Sequence, residues 1–170
     1  CGGIRTIEDA SNIILSGADK IGINTAAIEN PKFLTMLAKE FGSQSIVLSV
    51  EAKKKSPSTW EVFVNSGRDP TGIDVKLWIK KAVDLGIGSV FLTSIDNDGT
   101  NLGFDKELCE EVFNICEVPL VISGGLGKIK DLTILTENSG MNGFAAASAF
   151  HNNLLTINET KKFLIDYKIN

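Results

Sequence analysis

Short apolar runs alternate along this chain with stretches in which apolar residues recur at helical spacing. The runs are apolar on successive positions, which is typical of parallel strands covered by helices. They predict strands at residues 20–24, 46–50, 90–94, 119–123 and 143–147. Helical periodicity and start signals predict helices at 7–16, 31–41, 74–85, 106–116, 129–136 and 158–167. This alternation predicts an α/β fold.

Residues 51–74 interrupt the alternation, because they form a long interval between a strand and the next helix. The interval contains the β-rich sequence Trp60-Glu61-Val62-Phe63-Val64. We therefore expect a small hairpin arm inserted after the second strand.

Polar side chains stand at or just after the predicted carboxyl ends of the strands, at Asn24, Glu51, Asp96, Ser123 and Ser148. The carboxyl ends of the strands form the functional face of a (β/α)8 barrel. The sequence thus predicts a partial barrel of about five βα units, forming one domain over residues 1–170. The glycine pair at the start looks like the loop after a lost strand. An incomplete barrel exposes two unpaired edges, so we expect self-association, or pairing with the missing segment, through them.

Composition narrows the classes of function. The chain has 170 residues, is 43% hydrophobic and carries a net charge of −4. It has no apolar run of the roughly 18 residues that span a bilayer, and no basic stripe suited to nucleic acid. We expect a cytoplasmic protein that binds neither membrane nor nucleic acid. One histidine and three scattered cysteines, which we interpret as reduced thiols, predict neither a metal site nor a cofactor.

One sequence unit occurs twice. Gly2-Gly3-Ile4-Arg5-Thr6-Ile7-Glu8-Asp9 matches Gly124-Gly125-Leu126-Gly127-Lys128-Ile129-Lys130-Asp131, and hydroxyl-bearing turns follow at similar distances, at Thr25 and Ser148. Glycines let the backbone approach an oxyanion, while free N–H groups and a hydroxyl donate to it. The repeat predicts two phosphate cradles and a substrate with two phosphates. Turns that only cap helices are the alternative.

Two carboxylates lie close together after the third predicted strand, in Asp96-Asn97-Asp98-Gly99-Thr100. One can face the substrate while the other binds N–H groups of the loop. A purely structural Asx turn is the alternative.

With these motifs the chain resembles the cyclase subunits of imidazole glycerol phosphate synthase, the barrel enzymes of histidine biosynthesis. The matching segments are residues 2–5, 18–20, 23–27, 29–31, 41–44, 92–96, 98–100, 123–125 and 147–151. The resemblance implies a ribulosyl biphosphate substrate and ammonia delivered by a glutaminase subunit. The implied products are imidazole glycerol phosphate and an aminoimidazole carboxamide ribotide.

The resemblance also implies roles for individual residues. One phosphate would be held by Gly3, Asn24 and Thr25, and the other by Gly99, Ser123, Gly125, Ala147 and Ser148. The catalytic positions would be Glu51 and Asp98, with Ser66 at a further active-site position. Lys20 would belong to a charged gate through which ammonia enters the barrel.

The sequence departs from the family pattern at several positions. Glu51 replaces the catalytic aspartate of an Asp-Ala-Lys motif, which moves the carboxylate by about one methylene, and such misplacement can cost around a hundredfold in rate. Ser89 replaces the gate glutamate, and Asn142 replaces an aspartate. The first catalytic aspartate of the family belongs to a strand that this chain lacks, so we expect the isolated chain to be inactive.

Three hypotheses follow. The chain is a cyclase subunit that needs its amino-terminal strands, a paralogue that works with an amidotransferase on nucleotide-linked or surface sugars, or an assembly module with residual phosphate binding. The two cradles and Asp98 favour the first hypothesis, while Glu51 and Ser89 favour the second.

Overall fold

The computed structural model describes residues 2–137 and 141–167. Its strands are β1 (Ile21–Ile23), β2 (Ile46–Ser56), β3 (Thr59–Val64), β4 (Asp69–Asp74), β5 (Ser89–Ser94), β6 (Leu120–Ser123) and β7 (Met141–Ala145). Its α-helices are α1 (Ile7–Leu15), α2 (Thr25–Glu29), α3 (Lys32–Phe41), α4 (Val75–Asp84), α5 (Lys106–Phe113), α6 (Ile134–Glu137), α7 (Ser148–His151) and α8 (Ile157–Asp166). Short 3₁₀ turns occur at Ser43–Ser45 and Ile129–Thr133.

The parallel part of the sheet follows the order of the chain. Strands β1, β2, β5, β6 and β7 each pair in parallel with the next strand in this series. The predicted strands are therefore all present, and the α/β prediction is confirmed. Consecutive parallel neighbours with helical crossovers are the arrangement of successive units in a (β/α) barrel.

The two faces of the sheet differ in burial. Along β2, Ile46, Leu48 and Val50 are fully buried, whereas the alternating Val47, Ser49 and Glu51 are half-buried. Helices α3 and α4 pack against this strand and bury its apolar face with side chains such as Leu34, Leu37 and Ile79. The opposite face, which corresponds to a barrel interior, is left accessible near the carboxyl ends.

The predicted arm exists, but it is a continuation of β2 and not a separate insertion. Beyond Val50 the strand runs on to Ser56 and pairs antiparallel with β3, which pairs with β4. Strand β5 occupies one side of β2 from Val47 to Ala52, so β1 and β3 share the other side. The arm therefore stands directly above the end of β1.

The arm is fastened to the start of α5. The buried Trp60 indole donates to Asp105 Oδ2 at 3.1 Å, and Lys54 Nζ donates to Glu107 Oε2 at 2.5 Å. The N–H and hydroxyl of Ser58 donate to the other oxygen of Glu107, at 3.1 and 2.9 Å. These contacts fix the arm over the carboxyl end of β5.

The cluster Lys53-Lys54-Lys55 contributes to the contacts of the arm. Lys53 lies over the ring of Phe63, Lys54 lies over Trp60 and pairs with Glu107, and Lys55 pairs with Glu61. The cluster thus makes contacts within the arm and with α5.

All six predicted helices correspond to helical segments, but their ends differ and two further short helices, α2 and α7, are present. The predicted helix 106–116 ends at Phe113, and the predicted helix 129–136 begins as a 3₁₀ turn before α6.

Cys109 is a buried free thiol whose pKa is raised to about 12 by burial, and Cys116, also free, lies past the end of α5. Cys1 lies outside the described residues. In the part of the chain that the structure describes, no helix is long and apolar enough to cross a membrane.

The ion pair at the arm predicts a pH-dependent stability. The hydrogen bond from Lys54, followed by those from Ser58, lowers the pKa of Glu107 below its ordinary value of 4.5. A carboxyl group with a lowered folded-state pKa stabilises the fold above its unfolded pKa, and this contribution is lost as pH falls through the folded value. Glu107→Gln should therefore lower Tm at pH 7, and its effect should fade below about pH 4. Thermal denaturation across this range measures it, with Glu110→Gln on the same helix as the control. An equal loss of Tm at pH 7 and below pH 4 would contradict a stabilising ion pair between Lys54 and Glu107.

The open edges of the sheet predict association of this chain. Within residues 2–137 and 141–167, β1 pairs with β2 alone among parallel strands and β7 pairs with β6 alone. Unpaired strand edges are templates for pairing with another chain. We expect light scattering to report a dimer or larger species, whereas a monomer at high concentration would contradict the prediction.

Candidate functional site

One row of residues crosses the accessible face of the sheet near the carboxyl ends. Glu51 of β2 is in register with Thr93 of β5, Thr93 with Ser123 of β6, and Ser123 with Ala145 of β7. Because side chains on a strand alternate between faces, residues in register present their side chains to the same side. This row forms the floor of the site.

A first cavity of about 290 Å³ lies at the end of β1. It brings together the predicted phosphate-binding residues Gly3, Asn24 and Thr25 with Ser66, and Glu51 forms part of its wall. Thr25 Oγ1 accepts a hydrogen bond from Asn65 N–H at 3.2 Å. Among the described residues this hydroxyl donates to no acceptor, so its proton can be donated to a bound anion.

A second cavity of about 380 Å³ lies across the ends of β5, β6 and β7. Its lining includes the row just described and the predicted residues Asp98, Ser123, Gly125, Ala147 and Ser148. Glu51 lines this cavity as well as the first. The two cavities therefore adjoin at the Glu51 side chain.

Gly125 allows two loops to meet in the second cavity. Its N–Cα torsion φ is +104°, and a Cβ atom there would lie 2.1 Å from the carbonyl oxygen of Gly103. Gly103 N–H in turn donates to Gly125 O at 2.8 Å. Ser148 Oγ donates to Asn101 Oδ1 at 3.0 Å, so the loop after β5 also contacts the turn after β7.

Part of the sequence repeat has a structural role. Asp9 Oδ2 accepts from the N–H groups of Arg5 and Thr6, both at 2.9 Å, and these bonds lower the pKa of Asp9. Asp131 Oδ2 accepts equivalently from Gly127 and Lys128, at 3.0 and 2.8 Å. The aspartates of the repeat therefore order the turns. The glycines and the distant hydroxyls line the cavities, together with Ile4, Arg5 and Leu126 of the repeat.

The two loop aspartates differ in their surroundings. Asp96 Oδ2 accepts from Lys54 N–H at 2.7 Å and so holds the arm. Asp98 is exposed and contributes to the wall of the second cavity. Gly99, next to it, is exposed, and among the described residues it is not one of those that line either cavity.

Lys20, which the resemblance places at an ammonia gate, lies at the other end of the sheet. Lys20 immediately precedes β1, and its Nζ donates to Gln44 O at 2.5 Å. Ser89, at the amino end of β5, is buried. Lys20 thus lies away from the cavities, on the amino-terminal side of the strands.

The replacement at Asn142 also has a structural explanation. Its side-chain oxygen Oδ1 accepts from Leu120 N–H at 3.0 Å, beside an irregularity in the pairing of β6 with β7. An amide oxygen and a carboxylate can both fill this role.

Sequence reasoning missed Asn65 and Gly67, which flank the predicted Ser66 in the turn that connects β3 to β4. Asn65 and Ser66 line the first cavity, and the N–H of Gly67 donates to Glu51 Oε2 at 2.9 Å. All three residues have positive φ. The sequence Asn-Ser-Gly between two β-rich runs is the signal that could have identified this turn. Helices α2 and α7, which begin at Thr25 and Ser148, were also missed.

The site combines carboxylates, hydroxyls and backbone donors with the exposed guanidinium of Arg5, which lines the first cavity. Among the residues that the structure describes, no group of histidine, cysteine, aspartate or glutamate side chains could hold a metal ion. The arrangement can bind anionic groups in two neighbouring cavities and move protons between them.

Comparison with known proteins gives consistent results. Residues 1–156 match the family model described as "Histidine biosynthesis protein". The chain is 46% identical over 163 residues to the imidazole glycerol phosphate synthase subunit HisF of Dictyoglomus thermophilum, which covers 96% of this chain and 64% of that protein. It is 39% identical over 168 residues to the subunit of the same name from Streptococcus mutans, covering 99% and 67%. For Metallosphaera sedula the identity is 42% over 165 residues, covering 97% and 65%. The chain thus spans about two thirds of the length of these relatives.

The contrast between the two glycine turns predicts unequal sensitivity to substitution. Gly125→Ala and Gly3→Ala both place a side chain at positive φ, but no described atom lies within 4 Å of a Cβ at Gly3. Overpacking against a backbone oxygen should make Gly125→Ala more destabilising by about 2 kcal/mol. Urea denaturation of the two variants tests this, and equal losses would show that the loops do not meet as described.

Proposed function

The chain belongs to the family of histidine biosynthesis proteins, and we propose that it carries the cyclase active site of an imidazole glycerol phosphate synthase. The proposed reaction is a lyase reaction. Ammonia converts a ribulosyl biphosphate intermediate to imidazole glycerol phosphate, with release of aminoimidazole carboxamide ribotide. The names of the curated relatives support this assignment. As a pathway enzyme for a small metabolite, it would work in the cytoplasm.

The single observation that carries the proposal is the pair of cavities that adjoin at Glu51. Each cavity is lined by one glycine pair of the sequence repeat and by one hydroxyl-bearing turn, at Thr25 or Ser148. A substrate with a phosphate at each end would place one phosphate in each cavity. Its reacting carbon chain would then lie across Glu51.

Two carboxylates border this central region. Glu51 lies between the cavities, and Asp98 lines the second. Attack of ammonia on a carbonyl group requires a proton to leave the nitrogen and another to reach the departing oxygen. A pair of carboxyl groups can supply a general base and a general acid for these transfers.

The ammonia would come from a glutaminase subunit at the opposite end of the strands. The relatives are named as subunits, which supports a multisubunit enzyme. Lys20 lies at that end, where its ammonium group is held against the Gln44 carbonyl. We assign Lys20 to the entrance for ammonia. Ser89 stands where the resemblance implies a glutamate, so this entrance would have one fewer anionic partner.

A second candidate function is amidation of nucleotide-linked or surface sugars by a paralogue that works with an amidotransferase. The observation in its favour is Glu51, because the resemblance implies an aspartate at this position. The two candidates differ in whether the biphosphate intermediate is turned over with Glu51 in place.

Ammonium-dependent turnover of the biphosphate intermediate tests the proposal. The chain, joined to the amino-terminal segment of the Dictyoglomus thermophilum relative, should turn over this substrate with Glu51 intact. Asp98→Asn should lower kcat by about a hundredfold, because it removes a group that exchanges protons. Turnover that requires Glu51→Asp, or binding without turnover, would favour the second candidate.

Matched variants of the two cradles serve as controls. Thr25→Val and Ser148→Ala each remove one hydroxyl donor, and each should weaken binding of the biphosphate by about tenfold. A ligand with a single phosphate should respond to one variant more than to the other. Equal insensitivity to both variants would argue against a phosphate in either cavity.

A further inference from the structure

The Glu51 carboxylate receives two hydrogen bonds on the same oxygen. Asn24 Nδ2 donates to Oε2 at 2.9 Å, and Gly67 N–H donates to Oε2 at 2.9 Å. Both donors come from outside β2, one from the turn after β1 and the other from the arm. A carboxylate held by one oxygen has the lone pairs of its other oxygen available.

The orientation of the Asn24 side chain is fixed by its two acceptors. Its NH₂ group donates to Glu51 Oε2 and also to Phe63 O, at 3.2 Å. A flipped amide would set its oxygen against the carboxylate and the carbonyl, so only one orientation is compatible with both neighbours. The amide donors of Asn24 are thus committed to Glu51 and Phe63, and they are not free to bind a phosphate.

The position of Gly67 follows from the pairing of the arm. Phe63 of β3 is in register with Glu51, so the turn that follows β3 must return past the Glu51 side chain. Gly67 has φ of +72°, and a Cβ there would lie 3.3 Å from Ile95 Cδ1. The same turn donates Asn65 N–H to Thr25, which links it to the first cavity.

We propose that Asn24 and the backbone N–H of Gly67 are positioning groups that hold Glu51 by Oε2 and leave Oε1 for the reacting atoms. The role of Oε1 in a reaction rests on the proposed function, whereas the positioning of Glu51 by its hydrogen bonds to Oε2 does not. The distance from both donors suits a glutamate. An aspartate would withdraw its carboxylate by roughly 1.5 Å and lose one or both bonds. The neighbours Asn24 and Gly67 are therefore placed for the glutamate at position 51 and not for the aspartate that the resemblance implies.

Hydrogen exchange of the Gly67 amide in this chain tests the hold without any need for activity. Glu51→Ala removes the acceptor and should speed exchange at Gly67 by about tenfold, the effect of one hydrogen bond. Glu51→Gln keeps a neutral acceptor and should stay close to the wild type. Asp98→Ala, in the other cavity, should leave Gly67 unchanged. An unchanged Gly67 rate in Glu51→Ala, with circular dichroism showing an intact fold, would overturn the inference.

Kinetics of the joined enzyme then separate positioning from binding. Asn24→Leu should lower kcat by about a hundredfold with KM little changed, because a displaced carboxylate affects the transition state. Thr25→Val should instead raise KM. If Asn24→Leu raised KM and left kcat unchanged, Asn24 would be a substrate-binding group and the inference would be wrong. Absence of turnover in the parent enzyme, with the exchange results as expected, would reject the proposed function and keep the hold on Glu51.

Discussion

The site depends on the way in which β2 changes partners along its length. Its first residues pair with β1, and from Glu51 onward the same side of the strand pairs with β3, while β5 accompanies it on the other side. Glu51 is therefore the residue at which the parallel sheet gives way to the arm. Because its backbone is held on both sides, its side chain starts from a fixed point at the junction of the two cavities. The two described donors to this carboxylate, Asn24 and Gly67, belong to segments that follow β1 and β3, the two strands that pair with this side of β2.

Much of this arrangement can be predicted from sequence because it follows from local chemistry. The apolar runs specify the parallel strands, and the polar residues after them mark one edge of the sheet. The glycine pairs with Thr25 and Ser148 indicate two sites for anions at that edge. Each of these signals is contained in a few adjacent residues, so it can be recognised without knowledge of the fold.

The parts that could not be predicted depend on contacts between distant residues. That Asp96 binds the arm, and that Asn24 binds Glu51, follows from the register of β3 on β2, which no local pattern specifies. The length of β2 was also underestimated, because its exposed end is charged and lacks an apolar run. The hydroxyls of the two cradles look equivalent in sequence, yet Thr25 Oγ1 accepts from Asn65 of the arm whereas Ser148 Oγ donates to Asn101. An anion in the second cavity must compete with Asn101 for that proton.

The pairing of the arm lysines has a consequence for how a substrate reaches the site. Lys54 and Lys55 bind glutamates, and the second cavity is bordered by the carboxylates of Glu51 and Asp98. The exposed Arg5, by contrast, lines the first cavity. One phosphate of a doubly anionic ligand would therefore meet a cation, whereas recognition of the other in the second cavity would rest on short hydrogen bonds formed after arrival. Long-range steering is screened by salt, whereas contacts of this kind are much less affected. Binding of an anion in the second cavity should thus depend little on ionic strength, whereas binding in the first should weaken as salt is raised.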